Sequence, residues 1–218
     1  PGLASDSQPN AGYCYYGLAA NPSNSVVAAS VEGEITGAET QIDGFLVMRI
    51  NGNWVEIDTD PANTGSQGIS GVSDKAINDE GSRIAFVKDG HIFLAPIDNL
   101  SAIKQSTPGD HPAFGTKGTG EALAWIQDRK LNIAKLHHCN PPDPGICRNN
   151  PEIQAELPGS DEFIVTSLDW NADSRNIVYI LSDGSTSEIR QFNVDSRQHS
   201  NPIISDRREK TSISIMAN

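Results

Sequence analysis

The sequence predicts an all-β fold, a β-propeller of about four blades. Three observations carry that prediction. One hairpin pattern returns along the chain, near 45–57, 83–97, 122–136 and 176–194. The turns at Asp89 and Asp128 lie 39 residues apart, and Gly52 precedes Gly90 by 38, which is the spacing of propeller blades. Helical periodicity is nearly absent, whereas apolar and polar residues alternate with a period of two. A β-sandwich also has many short strands, but its strands do not usually repeat one sequence pattern. Four blades make a small ring, so completion within a larger chain, or by a second copy, is the alternative.

The elements follow in order. The chain begins at Pro1 without a Met, as expected of a processed product or an excised piece. Residues 1–10 read as an N-terminal tail and residues 11–218 as a single domain. Tyr13-Cys14-Tyr15-Tyr16 is an aromatic, strand-like segment in which Cys14 takes a core position. The first hairpin runs from Phe45 to Ile57 around Asn51-Gly52, a pair in which both residues tolerate positive φ. The second, Arg83 to Ile97, aligns without a gap on the third, Ala122 to Leu136. In each, a short apolar run precedes the turn and an alternating strand follows it. The fourth spans Asn176 to Val194, and its turn lies 55 residues beyond Asp128. The extra length falls in the segment that contains Cys139 and Cys147. The ends, Tyr13 to Tyr16 and Ser212 to Met216, are both strand-like, suited to closing a ring or adding an outer strand to a neighbour.

The residues before the hairpins sharpen the reading. Leu168-Asp169-Trp170-Asn171-Ala172-Asp173-Ser174-Arg175 leads into Asn176-Ile177-Val178-Tyr179. This resembles the TolB-like propeller repeat, whose pattern is Trp-Ser-Pro-Asp-Gly, two variable residues, then an apolar-small-aromatic strand. Trp170 and Asp173 match it. Ala76 to Phe86 is a second copy that keeps Gly81 and the Ile84-Ala85-Phe86 strand. A third, around His111-Pro112-Ala113-Phe114, is weaker and has an insertion before Leu123. The first unit lacks the signature upstream of Phe45. The resemblance covers roughly residues 70 to 200 and implies a fold more than a function, because the repeat serves both binding proteins and gating domains of peptidases. Asp79, Glu80, Gly81, Trp170 and Asp173 read as structural turn residues. An Asp there bonds its own following amides, and an aromatic just before the turn packs between blades.

Charge narrows the partners. The chain carries 16 basic and 28 acidic residues, a net charge of -12. Nucleic acid is a poor match, since phosphate neutralisation needs clustered Lys and Arg. No apolar run approaches the roughly 20 residues that span a bilayer. Cys139 and Cys147 flank a turn-rich stretch containing Pro141, Pro142, Pro144 and Gly145, so a local disulfide is the first reading. It would place the protein in the periplasm or outside the cell. Zinc held by His137, His138, Cys139 and Cys147 is the alternative, although the second ligand pair of a structural zinc site is missing.

Other candidate sites are weaker. Asp58, Asp60 and Asn63 space oxygen ligands as a calcium loop does, without the later glutamate of an EF-hand. No cofactor is the default, and calcium is the alternative at this loop. Asp79-Glu80-Gly81 also resembles a sialidase Asp box, itself a structural turn. Among His91, His111, His137, His138 and His199, no two show the spacing of a helical metal motif. Asn99-Leu100-Ser101 is a glycosylation sequon that matters only in a eukaryotic secretory setting. No Gly-x-Ser-x-Gly nucleophile elbow is present, and no catalytic residue is nominated. The expectation is a non-enzymatic module that binds another envelope or extracellular protein, or associates with itself. The loops from Asn21 to Gly37 and from His137 to Pro158 are the expected contact regions. The alternatives are a glycan hydrolase or lyase and an accessory propeller domain of a larger peptidase.

Overall fold

A computed structural model of the chain describes residues 14–21, 23–34, 41–50, 52–56, 72–98, 104–117, 120–136, 151–159, 161–171 and 173–206. The chain divides into two compact units, Pro1–Thr107 and Pro108–Asn218. Among the described residues every regular element is a β-strand.

The first unit holds two four-stranded antiparallel sheets. The first sheet runs β1 (Cys14–Ala20), β2 (Val26–Glu34), β3 (Gln41–Ile50), β4 (Asn53–Glu56). The second runs β5 (Val72–Ile77), β6 (Arg83–Lys88), β7 (His91–Pro96), β8 (Lys104–Pro108). The apolar run Ile84-Ala85-Phe86-Val87 is buried throughout, because β6 is an inner strand that packs on both faces. Val26, Ala28 and Met48 of the first sheet meet Val72, Ile84 and Phe86 of the second in one core cluster. Full burial of side chains of this size stabilises by ~1.5–3 kcal/mol each. The buried Ser30 is the polar member of this contact, its hydroxyl donating to the Val72 carbonyl at 3.1 Å.

The second unit repeats the plan. Its first sheet comprises β9 (Asp110–Lys117), β10 (Gly120–Gln127), β11 (Lys130–Lys135) and β12 (Ile153–Glu156). Its other sheet comprises β13 (Ile164–Trp170), β14 (Asn176–Ser182) and β15 (Ser187–Asn193). The last edge of that sheet is split between β16 (Gln198–His199) and β17 (Ile204–Asp206), both paired to β15. Leu131 and Ile133 pack against Ile177, Tyr179, Leu181 and Phe192 in the core between the two sheets.

The registers refine the repeat. In residues 83–97, 122–136 and 176–194 the hairpin joins the second and third strands of its sheet. Residues 45–57 instead carry the third and fourth strands, β3 and β4. The counterpart of the other hairpins in the first sheet is therefore β2–β3, with Val31 opposite Phe45. The segment around His111 to Phe114 is likewise a strand, β9, rather than a turn.

Candidate functional site

The first and second strands of three sheets are joined by one kind of turn, built on an asparagine. In the first, the Asn21 amide donates to the Val26 carbonyl and the Asn24 amide to the Asn21 carbonyl. The Asn78 amide donates to the Arg83 carbonyl, and Gly81 to Asn78. The Asn171 amide donates to the Asn176 carbonyl, and Ser174 to Asn171. The fourth residue of each turn lies at positive φ: Asn24 at 53°, Gly81 at 68° and Ser174 at 57°. Asparagine suits the first position because its side chain replaces a ladder partner. Asn21 Oδ1 accepts from the Val26 amide at 2.9 Å. Asn78 Oδ1 accepts from Ser82 at 2.8 Å and Arg83 at 2.9 Å. In the third turn the acceptor has moved to Asp173, whose Oδ1 takes the amides of Arg175 at 2.8 Å and Asn176 at 3.1 Å.

Asp79 and Glu80 occupy exposed turn positions, and the residue that anchors this turn is Asn78. The signature absent upstream of Phe45 is the Asn21 turn, placed ahead of β2. An asparagine five residues before an apolar strand was the available signal. The Gly81 turn also abuts the Asn21 turn: a Cβ at Gly81 would sit 2.7 Å from Asn21 Nδ2. Desolvation raises the Asp173 carboxyl pKa, but the Arg175 and Asn176 donors outweigh it and hold the group below its usual value.

Trp170 ends β13 and locks the two sheets of its unit together. Its indole Nε1 donates to the Ala113 carbonyl of β9 at 3.1 Å. The ring lies flat over Gly115, where any Cβ would collide with it. At the opposite strand ends, the β10–β11 turn reaches the next connection. Arg129 Nη1 donates to the Phe163 carbonyl at 2.6 Å and Nε lies 3.5 Å from Asp161.

A polar cluster is set into the last sheet. The Tyr179 hydroxyl meets His199 Nδ1 at 2.7 Å, and the His199 ring centroid lies 4.8 Å from that of Phe192. Arg190 is clamped by Glu188 at 2.8 Å and donates to the Ser200 carbonyl at 3.2 Å. Burial pushes the Tyr179 hydroxyl pKa well up. Burial also holds the His199 imidazole below its usual value; Arg190 acts the same way, and a Glu156 backbone contact opposes them. On β5, burial lowers the Lys75 ammonium pKa to about 8, with Asp74 opposing.

No group of three or more His, Cys, Asp or Glu among the described residues is placed to hold a metal ion. Asp58, Asp60 and Asn63, the His137-His138-Cys139 and Cys147 set, Asn99, and the segment from Ser212 to Met216 lie outside the described residues. His91 contacts the Asp89 carbonyl at 3.0 Å. No helix among the described residues is long and apolar enough to cross a membrane.

No protein-family model matches the chain, and no curated protein matches its sequence. Solved structures do match its fold. The β-propeller domain of Myceliophteria thermophila Cps50 (Swd1) aligns with TM-score 0.51 at 10% identity, over 94% of this chain and 58% of that one. An oligogalacturonate lyase, solved in complex with manganese, aligns with TM-score 0.57 at 12% identity, over 88% of this chain and 54% of that one. The fold is a β-propeller. A prolyl endopeptidase gives TM-score 0.51 at 9% identity, over 86% of this chain and 29% of that one. The propeller thus spans less than two thirds of each of these proteins.

Proposed function

We propose that this propeller is a non-enzymatic binding module of the TolB-like type, working in the periplasm or outside the cell. Its partner is another envelope or extracellular protein, or a further copy of the chain. The observation that carries this reading is the insertion between β11 and β12. The β11–β12 pairing is regular on both sides of residues 137–150. Ile133 pairs with Ile153, the Leu136 amide donates to the Glu121 carbonyl, and the Glu152 amide donates to the Ile133 carbonyl. The described residues that flank 137–150 thus join β11 to β12 by their own hydrogen bonds. The equivalent connection of the first sheet, β3 to β4, needs only the two residues between Ile50 and Asn53. Lengthening a loop costs little stability, and such loops on a rigid scaffold commonly carry recognition. The proline-rich stretch between Cys139 and Cys147, closed by a disulfide, would present a preorganised surface to a partner.

The test has two parts. Mass spectrometry of the unreduced and reduced chain is expected to show the loss of two hydrogens and a Cys139–Cys147 cross-linked peptide. Free thiols at both positions would sink the extracellular assignment. A photo-crosslinking residue at Pro142 is then expected to capture one partner, or the chain itself, in cells. Absence of any adduct there would count against the binding role. A stoichiometric metal ion lost to EDTA would point instead to glycan hydrolysis or lysis near Asp58, Asp60 and Asn63.

A further inference from the structure

The outermost strand of the last sheet is thinly attached. β16 contributes two ladder pairs, Phe192 with His199 and Asn193 with Gln198, and β17 contributes three. Between them the Ser200 amide donates to the Gln191 carbonyl, and the Ser200 hydroxyl accepts from the Gln191 amide at 3.0 Å. Residues 201–205 are exposed, Ile203 and Ile204 among them. The inward-reaching anchor of this strand is His199. Its imidazole reaches past β15 to the Tyr179 hydroxyl on β14 and packs on Phe192.

We propose that His199 is an acid-operated latch: the neutral imidazole holds β16 and β17 on the sheet edge, and protonation releases them. The surroundings leave no room for a cation without cost. Arg190 on β15 already places a guanidinium beside the ring, fixed by Glu188 and by the Ser200 carbonyl. Tyr179 on β14 is uncharged at neutral pH, since burial raises its pKa. From β12, the Glu156 backbone favours the charged ring but makes no hydrogen bond to its buried Nε2, while the exposed Glu156 carboxylate pairs with Lys130 of β11 at 3.2 Å. No carboxylate among these groups is free to receive an imidazolium.

The sign follows. Burial depresses the proton affinity of the held histidine, whereas a released one titrates near its ordinary value of about 6.5. The stability is therefore complete above about pH 6.5. As pH falls below that value, the released strand takes up a proton more readily than the held strand does. One proton shifts the equilibrium by at most about tenfold per pH unit, until the held imidazole itself titrates.

Hydrogen exchange of residues 198–206 tests it, with rates corrected for the intrinsic effect of pH. The wild-type chain is expected to lose protection progressively at Ser200, Ile203 and Ile204 between pH 7.5 and pH 5.0, with a slope of at most about tenfold per pH unit, while β6 amides stay unchanged. His199→Asn, which keeps an acceptor toward Tyr179 but does not titrate, is expected to lose the pH dependence. Tyr179→Phe is expected to lower protection at pH 7.5 yet keep the pH slope, and so reports even if the asparagine variant misfolds. The idea fails if wild type shows no loss, if His199→Asn loses as much, or if the imidazole titrates at or above 6.5.

Discussion

A single methyl group on Gly115 tests how the second unit is held. The Trp170 ring lies against that glycine, and its indole nitrogen is bonded to Ala113 two residues earlier. Gly115→Ala must therefore push the ring off β9. The expected loss is ~1–3 kcal/mol, as for other overpacked interiors, read by urea denaturation. An unchanged midpoint would mean that the ring relocates freely. Asn78 makes a comparable local test. Asn78→Ala removes the acceptor of two amides, those of Ser82 and Arg83. About 1–2 kcal/mol should be lost, and Asn78→Asp should recover part of it by restoring the oxygen. The aromatic role of Trp170 was legible in the sequence, because a tryptophan before a turn matched a repeat. Gly115 was not, because it carries no side chain and its importance comes from a ring far along the chain.

Each turn satisfies its own backbone within six residues, so it belongs to a single element. That local closure explains which parts of the sequence could be read. Asn51-Gly52, Asp89-Gly90 and Asp128-Arg129 declare tight turns by residue type alone, and each joins two strands. The Asn21 turn hid because its first strand residues, Val26 to Ser30, lack the aromatic that marks Phe86 and Tyr179. The strand order of 45–57 within its sheet also hid, since a hairpin pattern does not say which pair of strands it joins. The acid limb of stability belongs at this scale too. Asp183 accepts from the amides of Thr186 at 2.6 Å and Ser185 at 2.8 Å, and from the Ser185 hydroxyl. These bonds, the Thr186 amide first, hold its carboxyl below the usual range. The stabilisation is full above about pH 4 and fades as pH falls through the depressed value. Asp183→Asn keeps the acceptor oxygen without the charge. Its melting temperature should be lower than wild type at pH 7 but fall less between pH 5 and pH 2.5. A parallel fall in both proteins would remove Asp183 from the acid response.

Over the whole molecule, the four-sheet plan was readable because a blade repeats, while function was not, because the repeat is what every blade needs for folding. The features that do not recur from sheet to sheet are the 137–150 insertion and the split outer strand. Replacing residues 137–150 with Asn-Gly should leave the circular dichroism spectrum and melting temperature close to wild type while abolishing partner capture. A collapse of the fold would show that the insertion supports the sheet after all. The hydrogen bonds at Leu136 and Glu152 have a practical corollary. They mark the two points at which the described ladder meets the span 137–150. An affinity tag, a fluorophore-binding peptide or a foreign epitope spliced there should be displayed on the scaffold, making this hairpin a natural port for engineering.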